Sequence, residues 1–180
     1  MSLLKLDIND ASFFVTDFFY NQNDIDCIYS ESDVRIFFNK TSGFVLSSGS
    51  PKLRSLFHST LVSYGGTPIS VVAKSSQISS SSKLSLGLNI MHNVYIGPDV
   101  IIGEGSLINS FSSVHHDAEV GEFVEIAPGA RILGSAKIGD QCFIGTNSVI
   151  CPNVSIGENS KIGAGVVVKK DIPADSIITS

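Results

Sequence analysis

The chain has 180 residues, of which 43% are hydrophobic and 16% are charged, and its formal net charge is −5 at pH 7. This composition supports a folded core and excludes a disordered chain. The 12 basic residues are scattered and their longest run is Lys169–Lys170, so we expect no nucleic-acid partner. No apolar stretch reaches the roughly 18 residues of a membrane span. The three cysteines form no CxxC motif, and we expect a cytoplasmic protein with reduced thiols.

The first 75 residues have a different sequence pattern from the rest of the chain. Short apolar runs (FFVTDFF, IDCIYS, VRIFF and GFVLSS) alternate with polar turns, which predicts strands or short mixed elements. The segment SPKLRSLFHSTLVSYGG predicts a helix that Ser50 can cap, with Pro51 at its first position and Gly65–Gly66 at its end. Its apolar stripe is predicted at Leu53, Leu56, Phe57 and Leu61. We expect a small α/β domain over residues 1–75.

From residue 78 onward, every sixth residue is aliphatic. The series has no insertion and runs through Ile78, Leu84, Ile90, Ile96, Ile102, Ile108, Val114, Val120, Ile126, Ile132, Ile138, Ile144, Ile150, Ile156, Ile162 and Val168. A small or β-branched residue often follows four positions later, and glycine often follows directly, where we expect a turn to use its tolerance of positive φ. A period of six excludes an α-helix and predicts short strands joined by tight turns, three to a coil. We therefore predict a mainly β fold, with a parallel β-helix over residues 76–180.

Two histidines and an aspartate lie at one predicted turn of this ladder, His115, His116 and Asp117. Histidine titrates near neutrality and can act as a base, and a neighbouring carboxylate can orient its imidazole. The repeat, together with the stretch VHHDAEVGEFVEIAPGA, resembles the hexapeptide-repeat acyltransferases. Within them it is most similar to the bacterial acetyltransferases of sialic acids and nucleotide-linked amino sugars. The resemblance implies a left-handed β-helix, a homotrimer, and acetyl transfer from acetyl-CoA to a sugar or nucleotide sugar without a metal.

The resemblance also assigns roles within the site. It implies that His116 is the general base of a direct attack and that Asp117 is its acidic partner. It places Gly134 at the thioester carbonyl, and Lys169 or Lys170 near the phosphates of the coenzyme.

The roles of three further residues of the repeat are less closely defined. His115 could contact the substrate or could itself be the base. Glu125 stands where many relatives have a histidine, and we expect it to contact the substrate. Cys142 occupies a small inward position, and we expect it to pack in the core.

Two other functions compete with a sugar acetyltransferase. The first glycine of the chain is Gly43, so the glycine-rich loop that opens the N-terminal domain of the relatives is missing. The missing loop favours a different function, that of a non-catalytic trimeric β-helix that serves as a binding or scaffold protein. A serine O-acetyltransferase-like enzyme is the other alternative, although those enzymes carry a helical N-terminal region.

Overall fold

The computed structural model of the chain describes residues 13–14, 27–28, 31–39 and 43–179. Of the predicted runs FFVTDFF and IDCIYS, only Phe13–Phe14 and Cys27–Ile28 are described, and these form two short parallel strands. The rest of both runs lies outside the described residues.

The described elements are two helices and many strands of two residues. The helices are α1 (Glu31–Phe38) and α2 (Pro51–Ser63). The strands are β1 (Phe13–Phe14), β2 (Cys27–Ile28), β3 (Gly43–Phe44), β4 (Thr67–Pro68), β5 (Val71–Val72), β6 (Gln77–Ile78), β7 (Lys83–Leu84), β8 (Asn89–Ile90), β9 (Tyr95–Ile96), β10 (Ile101–Ile102), β11 (Leu107–Ile108), β12 (Ser113–Val114), β13 (Glu119–Val120), β14 (Glu125–Ile126), β15 (Arg131–Ile132), β16 (Lys137–Ile138), β17 (Phe143–Ile144), β18 (Val149–Ile150), β19 (Ser155–Ile156), β20 (Lys161–Ile162), β21 (Val167–Val168) and β22 (Ile177–Ile178).

The N-terminal region contains a small α/β unit in which β3 pairs in parallel with β4 and α2 connects them. The run VRIFF, predicted as a strand or a short mixed element, lies in α1. Val34 and Phe38 are four residues apart and so share one helix face, which packs against Leu61 of α2. Strand β5 already pairs with β8 of the ladder, and the domain division at residue 75 stays a prediction.

Helix α2 begins at Pro51 and ends before Gly65 as predicted, and Gly65 has a φ of 96°. The side chain of Ser50 makes no capping hydrogen bond. The predicted apolar stripe is wrong in part, because Leu53 and Leu56 are exposed while Leu61 is buried. Arg54 is instead fully buried on the inner face of the helix, where it donates hydrogen bonds to polar groups of the β-helix.

The remaining strands form three parallel sheets that wind about one axis, which confirms the predicted mainly β, parallel β-helix. A six-stranded face contains β6, β9, β12, β15, β18 and β21; a five-stranded face contains β7, β10, β13, β16 and β19; and a seven-stranded face contains β5, β8, β11, β14, β17, β20 and β22. Each strand pairs with the strand 18 residues further on, except in the last coil, where Ile162 pairs with Ile178.

The interior is a column of aliphatic side chains contributed by the sixth-residue series. Ile96, Ile108, Ile132 and Ile150 are fully buried, and each contributes about 1.5–3 kcal/mol to folding. The small residues four positions later, including Ala118 and Cys142, are also buried. The repeat read from the sequence is therefore the core of the fold.

The explanation expected for the turn glycines is wrong. The left-handed conformation occurs three residues after each aliphatic residue from Leu84 to Ile162, mostly at residues other than glycine such as Asn93, Asp99 and Asp117. At most of these positions, the glycine directly after the aliphatic residue is required by close stacking of the coils instead. A Cβ on Gly103 would lie 2.5 Å from the carbonyl carbon of Gly121, and one on Gly145 would lie 2.6 Å from the oxygen of Ile162.

Candidate active site

His116 and Asp117 form a hydrogen-bonded pair at the turn between the six-stranded and five-stranded faces. Nδ1 of His116 is 2.8 Å from Oδ2 of Asp117, and the two side chains are 62% and 60% exposed, respectively. Because an ionised carboxylate can only accept, the hydrogen of this bond lies on Nδ1, which in the neutral form of an imidazole leaves Nε2 unprotonated. Nε2 then carries a lone pair directed away from Asp117, as a general base requires.

Gly134 lies one coil beyond His116 and underneath its imidazole. A Cβ on Gly134 would lie 2.5 Å from both Nε2 and Cε1 of His116, so only glycine leaves room for the ring in this position. Within residues 43–179, the N–H of Gly134 donates no hydrogen bond to another residue. The structure therefore brings together His116, Asp117 and Gly134, three residues predicted from the sequence.

His115 lies on the six-stranded face beside the pair. Its Nε2 is 3.2 Å from Oγ of Ser113, and its ring centroid is 5.6 Å from that of Tyr95. Burial, the nearby His116 and the cation of Arg131, in that order, lower the pKa of His115 below its usual 6.5. The ring therefore favours its neutral form, in which one nitrogen donates and the other accepts.

Glu125 lies in β14 on the seven-stranded face, whereas His116 follows a strand of the six-stranded face. A Cβ on Gly49 would lie 3.3 Å from Oε1 of Glu125, so the carboxylate faces the loop before α2. Burial raises the pKa of Glu125 and the positive charge of Arg54 opposes that change. In the single chain, Glu125 contacts the α/β unit, and its predicted contact with the substrate stays a prediction.

Lys169 and Lys170 are exposed at the turn that follows β21. Lys170 is three coils of 18 residues from His116 on the same turn of the β-helix, about 15 Å along the axis at about 4.8 Å per strand. Their predicted contact with the coenzyme stays a prediction. Among the described residues, no group of three His, Cys, Asp or Glu side chains could hold a metal ion.

Cys142 is fully buried, and its thiol donates a hydrogen bond to the carbonyl of Gly157 at 3.1 Å. Burial raises the pKa of this thiol to about 11. A protonated, buried thiol is a poor nucleophile, in agreement with the expected role in packing.

Sequence reasoning missed two residues beside the site. Tyr95 and Arg131 occupy the outward position of their strands, and both are in register with Ser113 of β12. A residue spacing of 18, one full coil, would have revealed this neighbourhood in the sequence, because each position lies directly above its equivalent one coil away.

The comparison with protein families identifies the repeat. The model of the family "Bacterial transferase hexapeptide (six repeats)" matches residues 99–134 and 135–170, which include His116, Asp117 and Gly134. No curated protein matches the sequence.

Several solved structures share the fold. PerB from Caulobacter crescentus, in complex with CoA and GDP-perosamine, is 25% identical with a TM-score of 0.82, over 85% of this chain and 74% of that one. The acetyltransferase domain of PglB from Neisseria gonorrhoeae, in complex with acetyl coenzyme A, is 20% identical with a TM-score of 0.80, over 89% of this chain and 81% of that one. WeeI from Acinetobacter baumannii AYE is 23% identical with a TM-score of 0.86, over 98% of this chain and 85% of that one.

The predicted resemblance to the hexapeptide-repeat acyltransferases is confirmed by the repeat match and by these structures. The repeat match and the likeness to PerB support the predicted enzyme class, an acyltransferase. No helix in the described part of the chain has both the length and the apolar character needed to cross a membrane.

Proposed function

We propose that the chain is an acetyl-CoA-dependent acetyltransferase that acts on an amine or hydroxyl of a sugar or nucleotide sugar. The observation that carries this proposal is the hydrogen bond of 2.8 Å between His116 and Asp117, which leaves Nε2 free above Gly134. PerB binds CoA and GDP-perosamine, and the PglB domain binds acetyl coenzyme A, which supports the same donor and a nucleotide-sugar acceptor here.

In this mechanism, Nε2 of His116 takes the proton of the acceptor while its oxygen or nitrogen attacks the thioester carbonyl. The carboxylate of Asp117 stabilises the imidazolium that forms. The N–H of Gly134, which has no partner in residues 43–179, donates a hydrogen bond to the developing oxyanion. The C–S bond then breaks, and the imidazolium returns its proton to the thiolate that leaves.

His116 suits the role of base better than His115 does. Nε2 of His115 contacts Ser113 and its ring packs near Tyr95, and no carboxylate contacts it among the described residues. His116 has the carboxylate partner and is more exposed to an incoming acceptor. We propose that His115 contacts the acceptor instead.

The proposal extends to the surroundings of the site. We infer that Lys169 and Lys170 bind the phosphates of the coenzyme. Lys170 occupies the position equivalent to His116 at the same turn, three coils further along the β-helix. We further propose a homotrimer in the cytoplasm, where acetyl-CoA and nucleotide sugars are available.

The test is to incubate the protein with acetyl-CoA and a panel of amino sugars, nucleotide sugars and sialic acids and to follow thiol release. We expect release with at least one acceptor and a loss of about 10²–10⁴-fold in kcat for His116→Ala. The circular dichroism spectrum and the oligomeric state should be unchanged in this variant, because His116 is exposed. No release with any acceptor, together with no binding of CoA, would refute the enzyme and favour a non-catalytic β-helix.

A further inference from the structure

An uncommitted cation lies on the strand that pairs with β12, the strand that precedes the proposed base. Arg131 occupies the outward position of β15 and is exposed, between Ser113 of β12 and Val149 of β18. Neither neighbour carries a charge. Within the described part of the chain, Arg131 makes no ion pair and no side-chain hydrogen bond. A free guanidinium can bind a carboxylate or a phosphate with two parallel hydrogen bonds.

Tyr95 and His115 complete a small polar surface around this cation. Tyr95 is 40% exposed on β9, two coils from Arg131, and its ring lies 5.6 Å from that of His115. Ser113 lies between them and contacts Nε2 of His115 at 3.2 Å. This surface, which we call the Arg131 face, presents an aromatic ring, two hydroxyls, an imidazole and a guanidinium next to His116.

His116 directly follows the part of the chain that carries Ser113 and His115 of the Arg131 face, and Gly134 lies underneath its imidazole. Gly134 and Lys170 continue along the turn that we assign to the coenzyme. The Arg131 face lies instead on the flat six-stranded sheet, so a second substrate can occupy it while the coenzyme occupies the turn. The chain as a whole is acidic, with a net charge of −5, so a free cation at this position does not reflect a generally basic surface.

We propose that Arg131 binds an anionic group of the acceptor, so that the acceptor carries a phosphate or a carboxylate close to the group that is acetylated. This inference rests on the proposed function. Tyr95 packs against the sugar ring and its hydroxyl donates to the same acceptor. Arg131 is then a specificity-determining residue, which selects anionic acceptors over neutral sugars.

The experiment measures dissociation constants by calorimetry for the full chain and three variants. The probes are GDP-perosamine for a diphosphate, N-acetylneuraminic acid for a carboxylate, free perosamine for neither, and coenzyme A. Arg131→Gln removes the positive charge. Arg131→Lys keeps the charge but lacks the planar guanidinium that can form two parallel hydrogen bonds. Lys161→Gln is the matched control, because Lys161 is an exposed outward residue on the seven-stranded face.

We expect Arg131→Gln to raise the dissociation constant of one anionic probe by about tenfold, with free perosamine and coenzyme A unaffected. Arg131→Lys should show a smaller rise, and Lys161→Gln none. The anionic probe that responds identifies the diphosphate or the carboxylate as the source of the charge. Unchanged binding in Arg131→Gln, an effect on coenzyme A alone, or no binding of either anionic probe to the unaltered chain would overturn the inference.

These outcomes separate the inference from the proposed function. Binding that depends on Arg131 without any thiol release would refute acetyl transfer alone. Thiol release whose KM for an anionic acceptor is the same in Arg131→Gln would refute the role of Arg131 alone. In the supported case the KM for the acceptor rises in Arg131→Gln while kcat changes little, since Arg131 does not touch the reacting atoms.

Discussion

The imidazole of His116 and the carboxylate of Asp117 meet at 2.8 Å although the two residues are neighbours in the chain. Neighbours in an extended strand point to opposite sides. Here Asp117 has a φ of 58°, a left-handed conformation that aspartate and asparagine tolerate better than most residues. The repeat places this conformation at the same point of nearly every turn, so the scaffold itself provides the geometry of the pair.

Replacing Asp117 with asparagine should lower kcat and leave the binding of CoA unchanged. An asparagine can offer an N–H to Nδ1, which would move the imidazole proton to Nε2 and remove the base. We expect a loss of roughly tenfold to several hundredfold in kcat, measured by thiol release at saturating substrates.

The matched control is Asp99→Asn. Asp99 occupies the same turn one coil earlier with a φ of 56°, and Pro98 precedes it where His116 precedes Asp117. This variant should keep full activity. Equal kcat values for Asp117→Asn and Asp99→Asn would contradict the role of the pair.

Replacing Gly134 with alanine should displace the imidazole of His116. The added Cβ would lie 2.5 Å from Nε2, well inside van der Waals contact, while the core beneath is unchanged. We expect kcat to fall at least about tenfold, since a displacement of about 1 Å can cost about a hundredfold, with little change in melting temperature. In Gly163→Ala, the control, the nearest atom would be 3.2 Å away, and activity should be kept. Full activity in Gly134→Ala would show that the ring does not need its present position.

Most of this fold could be predicted from the sequence, because the core residues recur at every sixth position. The aliphatic series from Ile78 predicted the β-helix, and every member from Ile90 to Val168 is buried. The period did not explain Gly103 or Gly145, because stacking distances between coils depend on residues 18 apart and not on local turn preference. Arg54 was missed for a related reason: two of its acceptors, Gly105 and Asn89, are more than 30 residues away, and no local pattern reveals them.

The candidate site was partly visible from the sequence. His116, Asp117 and Gly134 were found by resemblance, and the structure places them in contact. Arg131 was not found, since an isolated arginine in a strand is usually only a solvated charge. Its interest comes from its place beside His115, which depends on the coil register.

His115 should titrate below its usual pKa of 6.5, and Arg131→Gln should raise that pKa. Burial, His116 and Arg131 all disfavour the imidazolium, so the unfolded chain takes up this proton first as the pH falls. The contribution of His115 therefore lowers stability as the pH falls from the usual value through the folded pKa. Removing the guanidinium charge makes protonation easier, which shifts the folded pKa upward.

Nuclear magnetic resonance titration of the histidine Cε1 protons measures this shift. Arg131→Lys keeps the positive charge and should keep the low pKa, and Lys161→Gln should have no effect. A titration of His115 that is the same in the unaltered chain and in Arg131→Gln would show that the guanidinium does not act on this ring.

Cys142→Ser should preserve both stability and activity. Ser106 and Ser160 occupy the corresponding positions on other coils of the same turn, and their hydroxyls each donate to a backbone carbonyl at 3.0 Å, as the thiol of Cys142 does at 3.1 Å. A serine hydroxyl can therefore replace the thiol, and we expect a change of less than about 1 kcal/mol in the free energy of unfolding. Cys142→Leu should instead overpack the core and cost about 1–3 kcal/mol. Loss of activity in a stable Cys142→Ser variant would indicate a chemical role for the thiol.

Arg54→Ala should loosen the α/β unit from the β-helix. The guanidinium is fully buried and donates to the carbonyl of Gly105 at 2.7 Å, to that of Ser48 at 2.7 Å and to Oδ1 of Asn89 at 2.6 Å. Burial lowers the pKa of Arg54 to about 10, so it remains charged near neutrality, with Glu125 as the nearby opposite charge. Truncation leaves these acceptors and Glu125 without their cation, and we expect a loss of about 2–4 kcal/mol.

Limited proteolysis together with thermal unfolding measures this loss. Cleavage in Arg54→Ala should begin in the loop before α2, because Arg54 binds the carbonyls of Leu46 and Ser48 there. Lys52→Ala, an exposed cation on the same helix, is the control and should change stability by less than about 0.5 kcal/mol. If Arg54→Ala proves as resistant as Lys52→Ala, the contact between α2 and the β-helix depends on His58, whose ring centroid lies 5.2 Å from that of Phe123, and not on the buried guanidinium.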